Sequence, residues 1–327
     1  MCSAPASSAP ILEIVVPCYN EEAVLPHTYE RLRALLQSLI EAKVVADSSR
    51  IRFVDDGSRD RTWEIVTEFG RADARVAGLR LSRNRGHQNA LLAGLLESPA
   101  DVVISIDADL QDDIRVIPAM LEHFAAGHDI VYGVRGRRDT DTAFKRLSAG
   151  FYYALLRRMG VESVPHHADY RLLSRRALEA LRSHREVNLY LRGLVPLLGF
   201  SSATVEYDRA LRLAGETKYP FRRMLALAID GVTSFSVVPL RLIAMMGLLT
   251  FVGSLVLSGW ALWIRVFTDR GVPGWASSVL PTYFLGGIQL LSLGVLGEYM
   301  SKIYLETKAR PRYILREAFP RDARDPR

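Results

Sequence analysis

The chain has 327 residues, a net charge of +6 and only two cysteines, Cys2 and Cys18. That length holds one large domain or two smaller ones, and two cysteines exclude a disulfide framework or metal–thiolate centre, which suits a cytoplasmic catalytic domain. The basic balance fits nucleic acid, an anionic membrane surface or a phosphorylated substrate, and the lack of a nucleic-acid-binding motif argues against the first.

Met1 to Pro10 is rich in Ala, Ser and Pro, with neither a basic start nor an apolar core, so residues 1–10 read as a loose tail and not a signal peptide. Ile11–Pro17 is an apolar, β-branched run that predicts a strand, ending in Cys18-Tyr19-Asn20-Glu21-Glu22. A helical pattern follows from about Leu25 to Ala42. A second strand over Ile51–Val54 runs into the turn Asp55-Asp56-Gly57-Ser58 and a helix through Phe69. Further strands are predicted over Val76–Leu81, Val102–Ile106 and Ile130–Tyr132. Strands alternating with helices imply a mostly parallel sheet covered on both faces, with ligands beyond the carboxyl ends of the strands.

The polar clusters fall at those ends. They are Asn20, Glu21 and Glu22, then Asp55 and Asp56, then Arg83 to His87, then Asp107 and Asp109, then Arg135. One acidic turn is usually a helix cap, whereas five clusters on one edge point to a binding cleft. In Asp107-Ala108-Asp109, residues two apart in extended chain point the same way, so both carboxylates emerge where a buried strand opens. Paired hard oxygens are what Mg²⁺ or Mn²⁺ needs against a diphosphate, and Gln111 adds an amide; the alternative is an ordinary polar turn after a core strand. His166 and His167, with no cysteine or third ligand nearby, read as a loop pair.

Farther along, Leu242 to Ile264 carries no charge, and a second uncharged stretch runs from Gly271 to Gly297. Spans of about 20 residues cross a bilayer, so a transmembrane hairpin is expected within 240–300, with spans at about 242–264 and 275–297. Arg222, Arg223 and Arg241 precede it, and Lys302, Lys308, Arg310, Arg312 and Arg316 follow. The connection holds only Arg265 and Arg270, so both ends are expected in the cytoplasm. The competing reading is a buried helical hairpin. Residues 219–239 space Phe221, Met224, Leu225, Ala228, Val232 and Phe235 as one helical face, either an amphipathic helix on the membrane surface or an ordinary core-facing one. Residues 11–218 then form the catalytic domain, and 301–327 a basic cytoplasmic tail.

Taken together, these motifs resemble those of family 2 glycosyltransferases with the GT-A (Rossmann-like) fold. The resemblance is closest to bacterial bactoprenol glucosyltransferases, and extends to dolichol-phosphate mannose synthase. It is carried by Val16-Pro17-Cys18-Tyr19-Asn20-Glu21-Glu22, Val54-Asp55-Asp56-Gly57-Ser58, Asn84-Arg85-Gly86-His87 and Asp107-Ala108-Asp109-Leu110-Gln111-Asp112. Asp169-Tyr170-Arg171-Leu172, Gly215-Glu216-Thr217-Lys218-Tyr219, Leu296-Gly297-Glu298-Tyr299 and Lys302-Ile303-Tyr304 extend it over nearly the whole chain.

The resemblance implies a site. Pro17, Tyr19, Asn20, Glu21, Asp55 and Asp56 would line the pocket for the nucleotide of a nucleotide-sugar donor, with Arg85, Gly86, His87 and Asp107 nearer its diphosphate. Many relatives carry Lys where His87 stands. Asp107, Asp109 and Gln111 would hold the metal, Mg²⁺ or Mn²⁺. Asp109 and Asp169 are the catalytic carboxylates, with Asp169 either orienting substrate or paired with Arg171 or another arginine. Arg135, Arg137, Arg138, Lys145 and Arg146, with Ser148 and Lys218, would grip the acceptor phosphate, or else form a solvated basic loop drawn to anionic lipid. The implied reaction is inverting transfer of one sugar to a polyprenyl phosphate (undecaprenyl phosphate) in the bacterial inner membrane. UDP-glucose is the first donor to consider, with GDP-mannose, UDP-GlcNAc or a modified sugar as alternatives. The Gln-x-x-Arg-Trp motif of processive synthases is absent, consistent with a single transfer. Relatives suggest a homo-tetramer. The competing readings are a soluble or protein acceptor and a non-catalytic scaffold subunit.

Overall fold

A computed structural model describes residues 9–136, 167–187, 189–207, 238–267 and 275–320. Leu12–Cys18 (β1) is buried at all seven positions, as expected of a strand covered on both faces. Beside it lie Arg50–Asp55 (β2), Val76–Leu81 (β3) and Val102–Ser105 (β4), followed in the chain by Ile130–Arg135 (β5), His167–Ser174 (β6), Ser202–Tyr207 (β7) and Leu315–Phe319 (β8). They form one eight-stranded sheet in the order β7-β5-β6-β4-β1-β2-β3-β8.

β1 pairs in parallel with β2 and β4, β2 with β3, and β5 with β7. β6 runs antiparallel between β4 and β5, and β8 antiparallel to β3. The sheet is therefore mixed but mostly parallel, as anticipated. The first five strands lie within a residue or so of their expected starts, and β5 runs on past Tyr132 to Arg135. The reversal of β6 matters for function, because its leading residues arrive at the edge where β1 to β4 end.

Helices cover both faces. Leu25–Glu41 (α1), Thr62–Ala72 (α2) and Ile117–Ala125 (α4) pack on the side of Leu12, Ile14, Val16 and Phe53. His87–Glu97 (α3), Arg175–Ser183 (α5) and Leu191–Leu197 (α6) pack on the side of Val15, Val54 and Val103. On that second side Glu13 and Arg52 are both buried and paired at 3.0 Å, which cancels the charge of each inside the core.

Three strands were not foreseen. β6 and β7 lack an uninterrupted apolar run, and the expected basic tail of 301–327 is corrected in part. Residues 301–307 continue a helix, and Leu315–Phe319 forms the edge strand β8. Phe319 seats its ring against Gly70 and Gly78, where an added Cβ would come within 2.1 and 2.3 Å of it.

The second compact unit lies within Pro220–Lys308. It holds two long helices, Val238–Phe267 (α7) and Trp275–Thr307 (α8), at the positions of the expected hairpin. Both run beyond the expected spans. Apolar side chains stand open along them, among them Leu248, Leu249, Val256, Trp263 and Leu290. Among the described residues no helix is long and apolar enough to cross a membrane, and several side chains inside both helices lie outside that set. The tail 1–8 and residues 219–237 of the anticipated interfacial helix also lie outside the described residues.

Candidate active site

The site is built where β1, β2 and β4 end and β6 begins. Hydrogen bonds between the loops fix its floor. The Asp56 N–H donates to the Cys18 carbonyl, and the Asn20 N–H to Ser58 Oγ. Asn20 sits in the left-handed region at φ 55°, which asparagine tolerates, and its own Oδ1 accepts the Arg59 N–H. Glu21 leads into α1, its carbonyl accepting from Val24 and Leu25 while its N–H reaches Thr62 Oγ1. Pro17 is buried at the end of β1, and Tyr19 stands open above it.

The two acids after β2 have separate duties. Asp56 accepts the N–H groups of Arg85 and Gly86 at 2.7 and 2.8 Å. It thereby brings Arg85, Gly86 and the first residue of α3, His87, to the cleft. Both its oxygens are engaged by backbone, which makes it a brace for the loop. Asp55 is fully buried and accepts the Ser58 N–H, with Arg80 Nε 3.4 Å from its other oxygen. Burial pushes its carboxyl up, against the pull of Ser58 and Arg80.

After β4 the chain turns through Asp107-Ala108-Asp109-Leu110-Gln111. Thr28 Oγ1 donates to the Ala108 carbonyl from α1, and Leu110 adopts a positive φ of 46° that bends the loop back. Gln111 Nε2 donates to Asp109 Oδ2 at 2.6 Å, so the two side chains act as a unit. Behind them the buried Asp112 accepts from the Tyr207 hydroxyl at the end of β7.

Asp169 enters opposite, from β6. Arg171 Nη2 donates to Asp169 Oδ1 at 2.6 Å, and Arg192 Nη2 lies 3.4 Å from Oδ2. His87 Nε2 lies 3.6 Å from Asp169 Oδ2 and 3.5 Å from Asp107 Oδ1, bridging the two acids. Burial alone would raise the Asp169 pKa, but the His87 hydrogen bond and the charges of Arg171 and Arg192 reverse this and hold it far below the carboxylate range. Burial would lower His87, and its hydrogen bond to Asp169 with the charge of Asp107 more than offsets that.

Arg171 is buried, and its second arm donates to the Leu191 carbonyl at the start of α6, which carries Arg192. Sequence reasoning missed Arg192, Arg80 and Tyr207. None belongs to a recognised motif; strand pairing places Arg80 and Tyr207, and the tie from Arg171 to the Leu191 carbonyl places Arg192. Of the acceptor set, Arg135 ends β5 with its side chain outside the described residues. Lys145, Arg146, Ser148 and Lys218 lie outside them altogether, as do Arg137, Arg138 and His166, while His167 opens β6.

Asp107 shows whether a metal fits. Burial pushes its carboxyl up and His87 pulls it down, while Asp112, Asp169 and Asp109 push it up again, to about 6. Crowded negative charge beside a second carboxylate and the buried Gln111 amide that is hydrogen-bonded to it is a hard-oxygen donor set of the kind that takes Mg²⁺ or Mn²⁺. No group of three His, Cys, Asp or Glu among the described residues forms a closed cage. Two carboxylates that leave further positions to a substrate diphosphate suit an ion held together with its substrate. A proton and a cation compete for Asp107, and protonation removes the charge a cation needs. Metal affinity, followed by Mn²⁺ titration, is therefore expected to hold steady above pH 6 and to fall up to about tenfold per unit below it. A flat profile from pH 5 to 8 would refute a metal-binding Asp107 carboxyl raised to about 6.

The profile of glycosyl transferase family 2 matches residues 13–182. An uncharacterized glycosyltransferase, YkoT, of Bacillus subtilis is 47% identical over 310 residues, covering 94% of this chain and 92% of its own. The bactoprenol glucosyl transferase of Shigella phage SfX is 37% identical over 307 residues, 93% of this chain and 98% of its own. A solved mannosyl-3-phosphoglycerate synthase from Rubrobacter xylanophilus is 16% identical with a TM-score of 0.46, covering 81% of this chain and 78% of its own, a likeness too loose to bear on function. The matched profile spans β1 to α5 and so includes Asp55, Asp56, His87, Asp107, Asp109 and Asp169. The chain belongs to glycosyl transferase family 2 and is a glycosyltransferase.

Proposed function

We propose that the protein transfers one sugar from a nucleotide-diphospho-sugar, with UDP-glucose the first donor to test, to a membrane polyprenyl phosphate such as undecaprenyl phosphate. The similarity over nearly its full length to a bactoprenol glucosyl transferase carries the choice of acceptor. The state of Asp169 supports the same reading. A carboxylate locked by Arg171, His87 and Arg192 and held far below its usual range is a poor general base. A phosphate acceptor needs none, because it is already anionic near neutral pH.

In this reading Asp169 orients His87 and Arg192 toward the phosphates, while Tyr19 and Glu21 receive the nucleotide and the buried Asp55 holds the turn beneath it. Arg85, Gly86 and the N-terminus of α3 offer positive character to the diphosphate. Asp107, Asp109 and Gln111 hold Mg²⁺ or Mn²⁺, which when bound offsets the negative charge that develops on the departing diphosphate. The acceptor phosphate attacks the anomeric carbon from the opposite side and inverts it.

We further propose that α7 and α8 span the inner membrane with the catalytic domain and both termini in the cytoplasm. The uncharged run Leu242–Ile264, the open apolar side chains of both helices, and the basic residues Arg241, Lys302, Lys308, Arg310, Arg312 and Arg316 support this. A reporter fused after Arg327 is expected to be cytoplasmic, and a periplasmic signal would refute the topology. The resemblance to polyprenyl-phosphate glycosyltransferases implies assembly into a tetramer.

The deciding experiment incubates the full chain in membranes with labelled nucleotide sugars, Mg²⁺ or Mn²⁺, and undecaprenyl phosphate. Label is expected in the lipid fraction, from UDP-glucose, only with metal present. Transfer from GDP-mannose or UDP-GlcNAc instead would change the donor and keep the acceptor. Failure with every donor would sink the proposal.

A further inference from the structure

We propose that Glu317, on the last strand of the sheet, is a positioning residue for the donor pocket and acts on Asp55 through Arg80. The inference rests on the reading that the turn from Asp55 to Ser58, held by the buried Asp55, floors the donor pocket.

β8 joins the sheet beside β3, with Glu317 directly across from Arg80. A register shift between Arg80 and Leu81 adds one residue on the β8 side there. The strand is held on both sides of Glu317. The Ser82 N–H donates to the Ile314 carbonyl, and Phe319 fills the slot left by Gly70 and Gly78, 5.6 Å from Trp63 between ring centres.

Glu317 divides its carboxylate between two donors. Trp63 Nε1 donates to Oε2 at 3.1 Å, and Arg80 Nη1 donates to Oε1 at 3.0 Å. The indole is a fixed, rigid donor, so it sets the angle at which the carboxylate meets Arg80. Arg80 then turns its Nε to Asp55 Oδ2 at 3.4 Å, with its guanidinium 5.7 Å from the Trp63 ring.

Asp55 depends on this arrangement. It is fully buried, and Oδ2 has no hydrogen-bond donor within reach other than the longer ion-pair contact with Arg80. An arginine free of Glu317 could swing toward solvent and leave Asp55 uncompensated, or close on Asp55 and pull it from the Ser58 N–H that it anchors at the floor of the donor pocket. Both moves impair donor binding and neither touches the reacting atoms, so the effect belongs in KM and not in kcat.

The test is a double-mutant cycle on the full chain in membranes, using UDP-glucose, Mn²⁺ and undecaprenyl phosphate. Glu317→Gln keeps the shape and an acceptor for Trp63 but removes the charge on Arg80. It is expected to raise the KM for UDP-glucose roughly three- to tenfold, with kcat within twofold. Arg80→Gln is expected to raise KM by a similar factor, and adding Glu317→Gln to it should change KM no further, because Glu317 acts only through Arg80. Glu317→Asp keeps the charge and is expected to recover part of the loss. Thermal midpoints of all variants are recorded, and a KM effect that merely tracks the midpoint overturns the proposal. Independent, multiplying effects of the two substitutions also overturn it. If Asp55→Asn raises KM while Glu317→Gln does not, the coupling fails and the donor reading stands. If Asp55→Asn leaves KM unchanged, the donor reading itself fails.

Discussion

Asp109→Asn is expected to lower sugar transfer by about a thousandfold or more while the protein stays folded. Stabilisation of a leaving group by a bound cation is worth several kcal/mol, and each ~1.4 kcal/mol is a factor of ten in rate. The asparagine keeps the size of the side chain and one oxygen for Gln111, whose Nε2 donates to Asp109 Oδ2 at 2.6 Å in the native protein. Asp109 is half-buried and its carboxylate is engaged by Gln111, a contact that asparagine keeps through its oxygen, so stability should change by no more than about 1 kcal/mol. Asp107→Asn should cost as much activity, and should leave the metal-free protein as stable as the native one or more so. It removes one charge from a cluster in which Asp112, Asp169 and Asp109 already push the Asp107 carboxyl up. Transfer assays beside thermal melts with and without Mn²⁺ measure both quantities. Full transfer by Asp109→Asn would remove Asp109 from the metal site.

Arg171→Met is expected to destabilise the fold by about 3–5 kcal/mol, the usual cost of removing one partner of a buried pair. Arg171 is 1% exposed, and its guanidinium links Asp169 on β6 to the Leu191 carbonyl at the start of α6. Without it Asp169 keeps its charge in a buried position, supported only by the looser contacts of Arg192 and His87. Arg192 also loses its anchor, since the segment that carries it is tied down by Arg171 and by Gln88, which accepts the Leu191 N–H. The double variant Asp169→Leu with Arg171→Met should recover much of the stability, because no unpaired charge is left. It should recover no activity if Asp169 orients His87 and Arg192 toward the phosphates. Chemical denaturation and transfer rates on the same preparations separate the two effects. Restored transfer in the double variant would reduce the pair to a purely structural role.

Much of this was legible in the residues. β1 to β5 are short apolar runs that end in polar clusters, and burial on both faces of a parallel sheet writes that pattern directly. The extended-chain argument for Asp107-Ala108-Asp109 did not hold, since β4 stops at Ser105 and the chain is already turning there, with the Leu110 N–H donating to the Asp107 carbonyl. β6 was not legible, because His167-Ala168-Asp169-Tyr170-Arg171-Leu172-Leu173-Ser174 places charges inside a core strand. Such a strand is stable only because Asp169 and Arg171 pair with each other, a contact that no periodicity records. β8 reads as a charged tail, since Leu315-Arg316-Glu317-Ala318-Phe319 is short and polar, as edge strands often are. The length of the two last helices was underestimated at both outer ends, because helical hydrogen bonding continues past the point where charged residues return.

The sequence by itself determined the alternation of strands and helices, the edge on which the polar clusters gather, and the presence of Asp107 and Asp109 just after β4. These are local properties, set by the two-residue and 3.6-residue periods of the backbone and by side-chain chemistry. The tertiary structure decided how the acids are used. Asp56 became a brace for the loop that carries Arg85 and Gly86, and Asp169 was locked by Arg171 while His87 bridged it to Asp107. Arg192 and Glu317 were added from segments with no motif at all. Charge and burial at each of these positions depend on partners tens to hundreds of residues away, and only the folded chain brings those partners within hydrogen-bonding distance.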